Sequence, residues 1–119
     1  QRKAYKENKN DFLVEAINEI IEKNYADSNL CLNVIADSFK MSPSYIGRIY
    51  RKSQSQSIAN YLNEVRITHS MNLLRSSNDT ISTIMQKVGY TNEGNFFRLF
   101  RKHTGMTPRD YRSRMNKEL

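Results

Sequence analysis

The chain carries two copies of a run in which arginine and lysine flank large apolar residues. The first copy is Arg48-Ile49-Tyr50-Arg51-Lys52, and the second, fifty residues later, is Arg98-Leu99-Phe100-Arg101-Lys102. Guanidinium groups donate paired hydrogen bonds to phosphates and to guanine, whereas the lysine ammonium acts toward phosphate as a point charge. The apolar residues between the cations are suited to hold each run against a core. The pattern therefore indicates two anion-binding surfaces carried by similar elements.

The repeat extends beyond these two runs. The same shift of 50 residues aligns Ser57 with Thr107 and Tyr61 with Tyr111. Each copy reads as a short helix, a tight turn, a second helix and a capped third helix, which is the order of a helix-turn-helix unit. In such a unit the second helix enters the major groove of duplex DNA.

The elements that must position these runs are helices. The 119 residues include only two prolines and four glycines, and no segment alternates apolar and polar residues for long. We predict an all-α fold of about seven helices, with two helix-turn-helix subdomains joined by a long linker helix. The predicted helices cover about residues 11–25, 31–39, 43–53, 58–75, 81–88, 93–103 and 108–116. Phe12 belongs to the inward apolar spacing of the first helix, and Val34 is predicted to face inward in the second. Their predicted N-caps include Ser42, Ser57, Thr80, Asn92 and Thr107. Gly89 and Gly105 are predicted to end two of them.

A helical wheel at about 100° per residue separates two faces on the second helix of each unit. The inward faces are Ile46, Ile49 and Tyr50 in the first copy, and Phe96, Leu99 and Phe100 in the second. The outward faces are Ser44, Gly47, Arg48 and Arg51, and Gly94, Phe97, Arg98 and Arg101. Phe97 has two interpretations: an exposed aromatic that contacts a thymine methyl group, or a core aromatic on a slightly rotated helix.

The net charge of +7 is unevenly distributed along the chain. Residues 40–60 sum to +4 and residues 98–117 to +6, whereas residues 10–39 sum to −5. A solvated surface would explain most charge runs, but two separate basic clusters are typical of two electrostatic footprints on a polyanion. The acidic first helix is a candidate docking face for a partner domain or for RNA polymerase.

At this point the residues resemble the signature of the AraC/XylS family of bacterial transcription regulators. The second unit carries IMQKVGY over residues 84–90, FFRLFRK over 96–102, GMTP over 105–108, and Tyr111-Arg112. The first unit matches through Ile35-Ala36, Met41-Ser42, Tyr45-Ile46, Arg48, Tyr61-Leu62, Arg66 and Leu73-Leu74. The resemblance covers roughly residues 12–116. It implies a seven-helix domain whose two helix-turn-helix units bind adjacent major grooves, attached to a sensory or oligomerisation domain.

Several residues depart from the family pattern. Met85 stands where the family usually has alanine, Ser55 replaces the glycine that Gly105 keeps, and His69-Ser70 replaces a small residue of the linker helix. These departures concern local packing. Gly47 stands where a longer base-reading side chain is common, so contacts of the first unit would depend on Ser44 and Arg48.

The candidate DNA contacts fall into two sets. The base-reading set is Ser44, Gly47 and Arg48 in the first unit and, by match to the family motif, Glu93, Gly94, Asn95, Phe97 and Arg98 in the second. Glu93 can accept from a cytosine amino group, or simply complement the helix N-terminus. The phosphate-binding set is Lys40, Ser42, Arg51, Lys52, Asn92, Arg101 and Lys102. Arg109, Arg112 and Arg114 either contact the backbone or solvate the last helix, and Tyr45, Tyr50, Tyr61 and Tyr111 are predicted to be core or packing residues.

The predicted organisation follows from these assignments. Residues 1–10 are interpreted as a basic linker from a missing upstream domain, because the chain begins with Gln rather than Met. Residues 11–119 form the DNA-binding domain, with a first unit at 11–56, a linker helix at 57–76 and a second unit at 77–119. A helix of that length spans about 27–30 Å, close to the roughly 34 Å between successive major grooves on one side of B-DNA. We therefore expect a monomer to contact two adjacent grooves.

Other function classes find little support in the sequence. No apolar run approaches the roughly 18 residues of a membrane span, and the single cysteine, Cys31, has no partners at zinc spacing. Cys31 is predicted to be buried. Neither His69 nor His103 has the context of a catalytic triad, so no enzyme activity and no cofactor are expected. The expected location is the cytoplasm, although a full-length protein with a membrane-bound sensor is compatible with the pattern. The alternative function is a basic helical module that binds RNA or an acidic protein.

Overall fold

The computed structural model describes the backbone of residues 2–118 and the side chains of residues 9–117. Within these residues it contains seven helices and no strand: α1 Arg2–Asn24, α2 Leu32–Ser38, α3 Pro43–Gln54, α4 Ile58–Ser76, α5 Ile81–Lys87, α6 Glu93–Thr104 and α7 Pro108–Glu118. The predicted all-α fold of about seven helices is confirmed.

The helix starts follow from side-chain capping. The hydroxyl or amide oxygen of each predicted cap accepts a hydrogen bond of 2.7–3.1 Å from the backbone N–H three residues later. This confirms the five predicted caps, Ser42, Ser57, Thr80, Asn92 and Thr107. Each bond satisfies one of the N–H groups that a helix N-terminus leaves without an intrahelical partner.

Helix α1 begins at Arg2 rather than at residue 11. Residues 2–10 contain no proline or glycine, and six of the nine are lysine, arginine, glutamate or alanine, which favour helix. The predicted linker at 1–10 stays a prediction, and the charged side chains of residues 2–7 lie outside the described side chains.

Three residues predicted to face inward lie on the surface. Phe12 is 73% exposed, because it lies on the side of α1 opposite the buried Ile17 and Ile21. Val34 is 48% exposed, since the buried face of α2 is formed by the two residues that follow it. Cys31 is exposed as well, at the N-cap of α2, where the chain is extended.

The first compact unit combines α1 up to residue 24 with residues 29–62. Its core contains fully buried Ile17, Ile21, Ile35, Ile46 and Tyr50. The hydroxyl of Tyr50 donates to the amide oxygen of Asn18 on α1 at 2.6 Å. This bond fixes α3 to α1 and leaves the opposite face of α3 to solvent.

The second unit combines residues 25–28 with the chain from residue 63 onward. Its buried cluster is Ile67, Leu74, Ile84, Met85, Val88, Tyr90, Phe96, Leu99, Phe100 and Tyr111. The ring of Phe100 makes edge-on contacts with those of Phe96 and Tyr111, at centroid separations of 5.8 and 5.6 Å. These contacts hold α6 and α7 against the same core.

Arg66 fixes the loop at residues 25–28 within this unit. Its side chain is almost entirely buried, and its guanidinium donates to the carbonyl oxygens of Tyr25 and Asp27, both at 2.8 Å. The same group lies 5.4 Å from the ring centre of Tyr90, whose hydroxyl donates to Asn63. Burial lowers the pKa of Arg66. Burial also raises the pKa of Tyr90 to about 12, and the positive charge of Arg66 partly offsets that rise.

The turn before α6 requires glycine at residue 89. Gly89 has φ +99°, and a Cβ atom there would lie 2.4 Å from the carbonyl oxygen of Tyr25 and 2.9 Å from Nε of Arg66. The equivalent turn in the first unit places Lys40 at φ +55°. The left-handed backbone of Lys40 costs about 1–3 kcal/mol, which is less than the cost of a 2.4 Å contact with backbone such as a side chain at residue 89 would make. Lysine is therefore tolerated at residue 40.

The departures from the family pattern are accommodated locally. Ser55 adopts the same left-handed conformation, at φ +57°, that Gly105 adopts at +79°. Met85 is buried in the second core, and the hydroxyl of buried Ser70 donates to the carbonyl of Ile67. His69 stacks on Tyr25 with ring centroids 4.0 Å apart.

We predict that Gly89→Ala and Gly105→Ala differ sharply in stability. Both substitutions place a Cβ atom at positive φ, which costs about 1–2 kcal/mol, but only at residue 89 does that atom meet backbone. The expected loss in unfolding free energy is about 1 kcal/mol for Gly105→Ala and about 3 kcal/mol or more for Gly89→Ala. Urea unfolding of both variants measures this difference, and equal losses would contradict the close approach of residues 25 and 89.

Candidate nucleic-acid interface

Helix α3 presents a cationic face opposite its buried face. Ile46 and Tyr50 are fully buried, as predicted, and Ile49 is partly buried. Three predicted base-reading residues lie on the outer side: Ser44 and Arg48 are exposed and Gly47 is partly exposed. The predicted phosphate contacts Lys40, Ser42, Arg51 and Lys52 are also exposed, the last two in the final turn of the helix.

Helix α6 repeats this arrangement in the second unit. Phe96, Leu99 and Phe100 are buried, as predicted. The predicted contact residues Asn92, Glu93, Gly94, Asn95, Arg98, Arg101 and Lys102 are all exposed. In both units the structure therefore leaves these predicted contact residues accessible to solvent, with Arg48 and Arg98 on the side of the helix opposite the buried residues.

The side chain of Phe97 is neither fully exposed nor fully buried, so it combines features of the two interpretations drawn from the sequence. Its side chain is partly buried against the core of the second unit, with its ring 5.9 Å from that of Phe96. The remaining surface borders a groove of about 410 Å³, which is also lined by Ile81 and Pro108. A thymine contact by the accessible part of this ring stays a prediction.

The equivalent groove in the first unit has a larger volume. It measures about 780 Å³ and is lined by Leu32, Gly47 and Ile58. Gly47 and Ile58 align with Phe97 and Pro108 of the second unit at the shift of 50 residues, and Leu32 aligns with Ile81 at a shift of 49. A Cβ atom at Gly47 would approach no nearer than 4.0 Å to Leu32, so the groove has space for a side chain that the sequence does not supply. The two units thus share a backbone plan and differ in how this face is filled.

Helices α3 and α6 each contain a contact made by their outward-facing arginine. The guanidinium of Arg48 lies over the ring of Tyr45, 5.8 Å from its centre. In α6 one amino group of Arg98 donates to the side-chain oxygen of Asn95 at 2.8 Å. Both partners lie three residues before the arginine, a spacing that places them together on a helix surface.

Tyr45 is a residue that the sequence reasoning misplaced. It was predicted to be a core or packing residue but is 43% exposed on the outer part of α3. Tyr50 and Tyr111 are buried and Tyr61 is partly buried, as predicted. The helical wheel contains the missing signal, since Tyr45 lies about 60° from Arg48 and about 100° from Ile46.

Arg112 has a structural role that the sequence did not reveal. Its guanidinium donates to the carbonyl oxygens of Leu74, Ser77 and Asp79 at 2.7–3.1 Å, and its side chain is partly buried. It therefore holds the end of α4 and the following turn. Arg109 and Arg114 are exposed on α7.

The acidic residues of α1 in the described part of the helix lie at the protein surface. Asp11, Glu15, Glu19 and Glu22 are exposed. Glu19 accepts a 2.6 Å hydrogen bond from Lys23, and this bond lowers the pKa of the carboxyl group. Because both groups are solvent-exposed, the pair contributes little to stability.

In the part of the chain that the structure describes, no three His, Cys, Asp or Glu side chains are grouped as a metal site requires. None of its helices is both long enough and apolar enough to cross a membrane.

Two helix-turn-helix units, each presenting an exposed cationic second helix, define a double helix-turn-helix domain. Residues 35–114 match the family described as "Helix-turn-helix domain". The chain therefore belongs to the AraC/XylS family of helix-turn-helix transcription regulators.

Three known proteins illustrate this relationship. The chain is 32% identical over 107 residues to the uncharacterized HTH-type transcriptional regulator YijO of Escherichia coli strain K12, covering 90% of the chain and 38% of YijO. The C-terminal domain of AraT, a response regulator from Geobacillus stearothermophilus, matches with a TM-score of 0.82 and 29% identity, over 85% of this chain and 84% of that domain. The DNA-binding domain of AdpA, solved in complex with a target DNA, shares the fold, with a TM-score of 0.82 and 16% identity over 88% and 94% of the two chains.

Proposed function

We propose that this chain binds duplex DNA sequence-specifically and regulates bacterial transcription, with α3 and α6 entering adjacent major grooves. The observation that carries this proposal is that α3 and α6 each have one buried side and one exposed basic side. A fully buried aromatic, Tyr50 or Phe100, anchors one side, and an arginine, Arg48 or Arg98, is exposed on the other. A helix held in this way offers guanidinium groups to base edges without disturbing its core.

Within this proposal the exposed residues have two tasks. Base edges are read by Ser44, Gly47 and Arg48 on α3 and by Glu93, Gly94, Asn95, Phe97 and Arg98 on α6. Phosphates are bound by Lys40, Ser42, Arg51, Lys52, Asn92, Arg101 and Lys102. Ser42 and Asn92 already accept hydrogen bonds from backbone N–H groups of their helices, so a phosphate there would join an existing cap.

The remaining assignments concern partners of the whole protein. We propose that this fragment acts as a monomer in the cytoplasm, where duplex DNA is available, and requires no cofactor for binding. RNA polymerase and an attached sensory or oligomerisation domain complete the regulator. The share of YijO that the chain covers, 38%, supports a larger whole protein.

We predict that binding to duplex DNA is strongly salt-dependent. If five cations (Lys40, Arg51, Lys52, Arg101 and Lys102) each neutralise one phosphate, the logarithm of the association constant falls with log salt at a slope of about −4 to −5. Fluorescence anisotropy measures this slope with a duplex of about 20 base pairs, selected by the protein from a randomised pool. A flat salt response, or failure to enrich any duplex, would refute the proposal.

Substitutions at Arg98 and Lys102 should separate base reading from phosphate binding. Arg98→Ala is expected to weaken binding to the selected duplex by about 1–3 kcal/mol and to relax preference at one base pair. Lys102→Ala is expected to weaken binding to all duplexes similarly and to make the salt slope shallower by about one unit. Anisotropy on the selected duplex and on its single-base variants distinguishes the two. A uniform loss for Arg98→Ala would reassign this residue to phosphate.

Binding to RNA is the second candidate for a basic helical surface. The duplex geometry of a major groove matches a protruding helix, whereas single-stranded RNA is usually held by exposed aromatic platforms. Titration of single-stranded RNA at the same salt concentration tests this difference. Tighter binding to RNA than to the selected duplex would overturn the assignment to DNA.

A further inference from the structure

We call α3 and α6 the reading helices of the proposed function. The outward-facing arginine of each contacts a different kind of side chain on the preceding turn. Arg48 and Arg98 are the two arginines of the proposed base-reading sets, and both are exposed. Each side chain has several rotatable bonds, and ordering such a chain on binding costs conformational entropy. A contact that already restricts the guanidinium in the free protein reduces this cost.

In the second unit the restricting contact is a hydrogen bond. One amino group of Arg98 donates to the side-chain oxygen of Asn95 at 2.8 Å. A guanidinium carries five N–H donors, so this bond engages one donor and leaves the group able to pair with guanine through two others. The backbone N–H of Asn95 is separately bound by Asn92, so the position of residue 95 is itself fixed by the helix cap.

In the first unit the restricting contact is an aromatic ring. The guanidinium carbon of Arg48 lies 5.8 Å from the ring centre of Tyr45, within the range of a cation–π interaction. This contact uses none of the five N–H donors of the guanidinium in a hydrogen bond, so they stay available to a base. The ring is 43% exposed, so it is available at the surface beside the guanidinium.

We infer that Tyr45 and Asn95 are positioning residues, which hold Arg48 and Arg98 in the orientation that reads a base. This inference rests on the proposed function and deepens it, because it assigns Tyr45 a role in DNA recognition and gives Asn95 a task besides direct contact. Both side chains are exposed, so their replacement leaves the two cores intact.

The free protein tests the first half of this inference without DNA. The aromatic ring current of Tyr45 is expected to shift the δ-methylene protons of Arg48 in the NMR spectrum. Tyr45→Leu is expected to move these protons to ordinary arginine positions, whereas Tyr45→Phe preserves the shift. The Nε–H group of Arg98 is expected to become more mobile in Asn95→Ala and to stay ordered in Asn95→Asp, which retains an acceptor oxygen. Unchanged Arg48 and Arg98 signals in Tyr45→Leu and Asn95→Ala would overturn the inference.

A double-mutant cycle on the selected duplex tests the second half. Tyr45→Leu is expected to weaken binding about 2–5-fold when Arg48 is present and to have almost no effect in the Arg48→Ala background. The same relation is expected for Asn95→Ala with Arg98→Ala. Tyr45→Leu combined with Arg51→Ala is the matched control, and there the two effects should multiply.

The outcomes of the cycle separate the inference from the proposed function. Loss of preference at the same base pair in Tyr45→Leu and Arg48→Ala supports a positioning role, as does retained affinity in Tyr45→Phe. Equal effects of Tyr45→Leu with and without Arg48 would overturn the inference while leaving DNA binding in place. Enrichment of no duplex by the unaltered protein would refute the proposed function, and the NMR measurement on the free protein would still decide the contacts.

Discussion

The burial of an aromatic residue at equivalent positions of α3 and α6 is the constraint on which the proposed interface depends. Tyr50 and Phe100 are fully buried at equivalent positions of the repeat, so each fixes the rotation of its helix about the helix axis. Because an α-helix turns about 100° per residue, this rotation determines which side chains face solvent. Arg48 and Arg98, two residues before the aromatics, are thereby directed outward. The basic face is a geometric consequence of the core.

The two units keep this plan while differing in detail. Gly47 leaves a groove of about 780 Å³ beside α3, whereas Phe97 contributes to a groove of about 410 Å³ beside α6. Arg48 contacts an aromatic ring in the first unit, whereas Arg98 donates to an amide oxygen in the second. Under the proposed function, a shared backbone plan with different surface residues suits contact with two different half-sites.

The sequence predicted the helices, the caps and the buried faces because these depend on local chemistry and periodicity. Ser42 and Asn92, for example, cap their helices through bonds to residues only three positions away. Long-range contacts could not be predicted in this way. The sequence pattern indicated for Arg112 either a contact with the DNA backbone or a solvated position on the last helix. In the structure it donates to carbonyl oxygens 33 to 38 residues earlier in the chain. Phe12 matched a loose helical pattern, but its position on the wheel opposes the core that α1 joins.

NMR mapping of the protein bound to its selected duplex tests the central claim most directly. The account predicts that backbone amides of residues 42–52 and 92–102 shift together, while amides along the acidic part of α1, at residues 11–23, stay unchanged. Shifts concentrated on α1, or confined to one of the two reading helices, would contradict it.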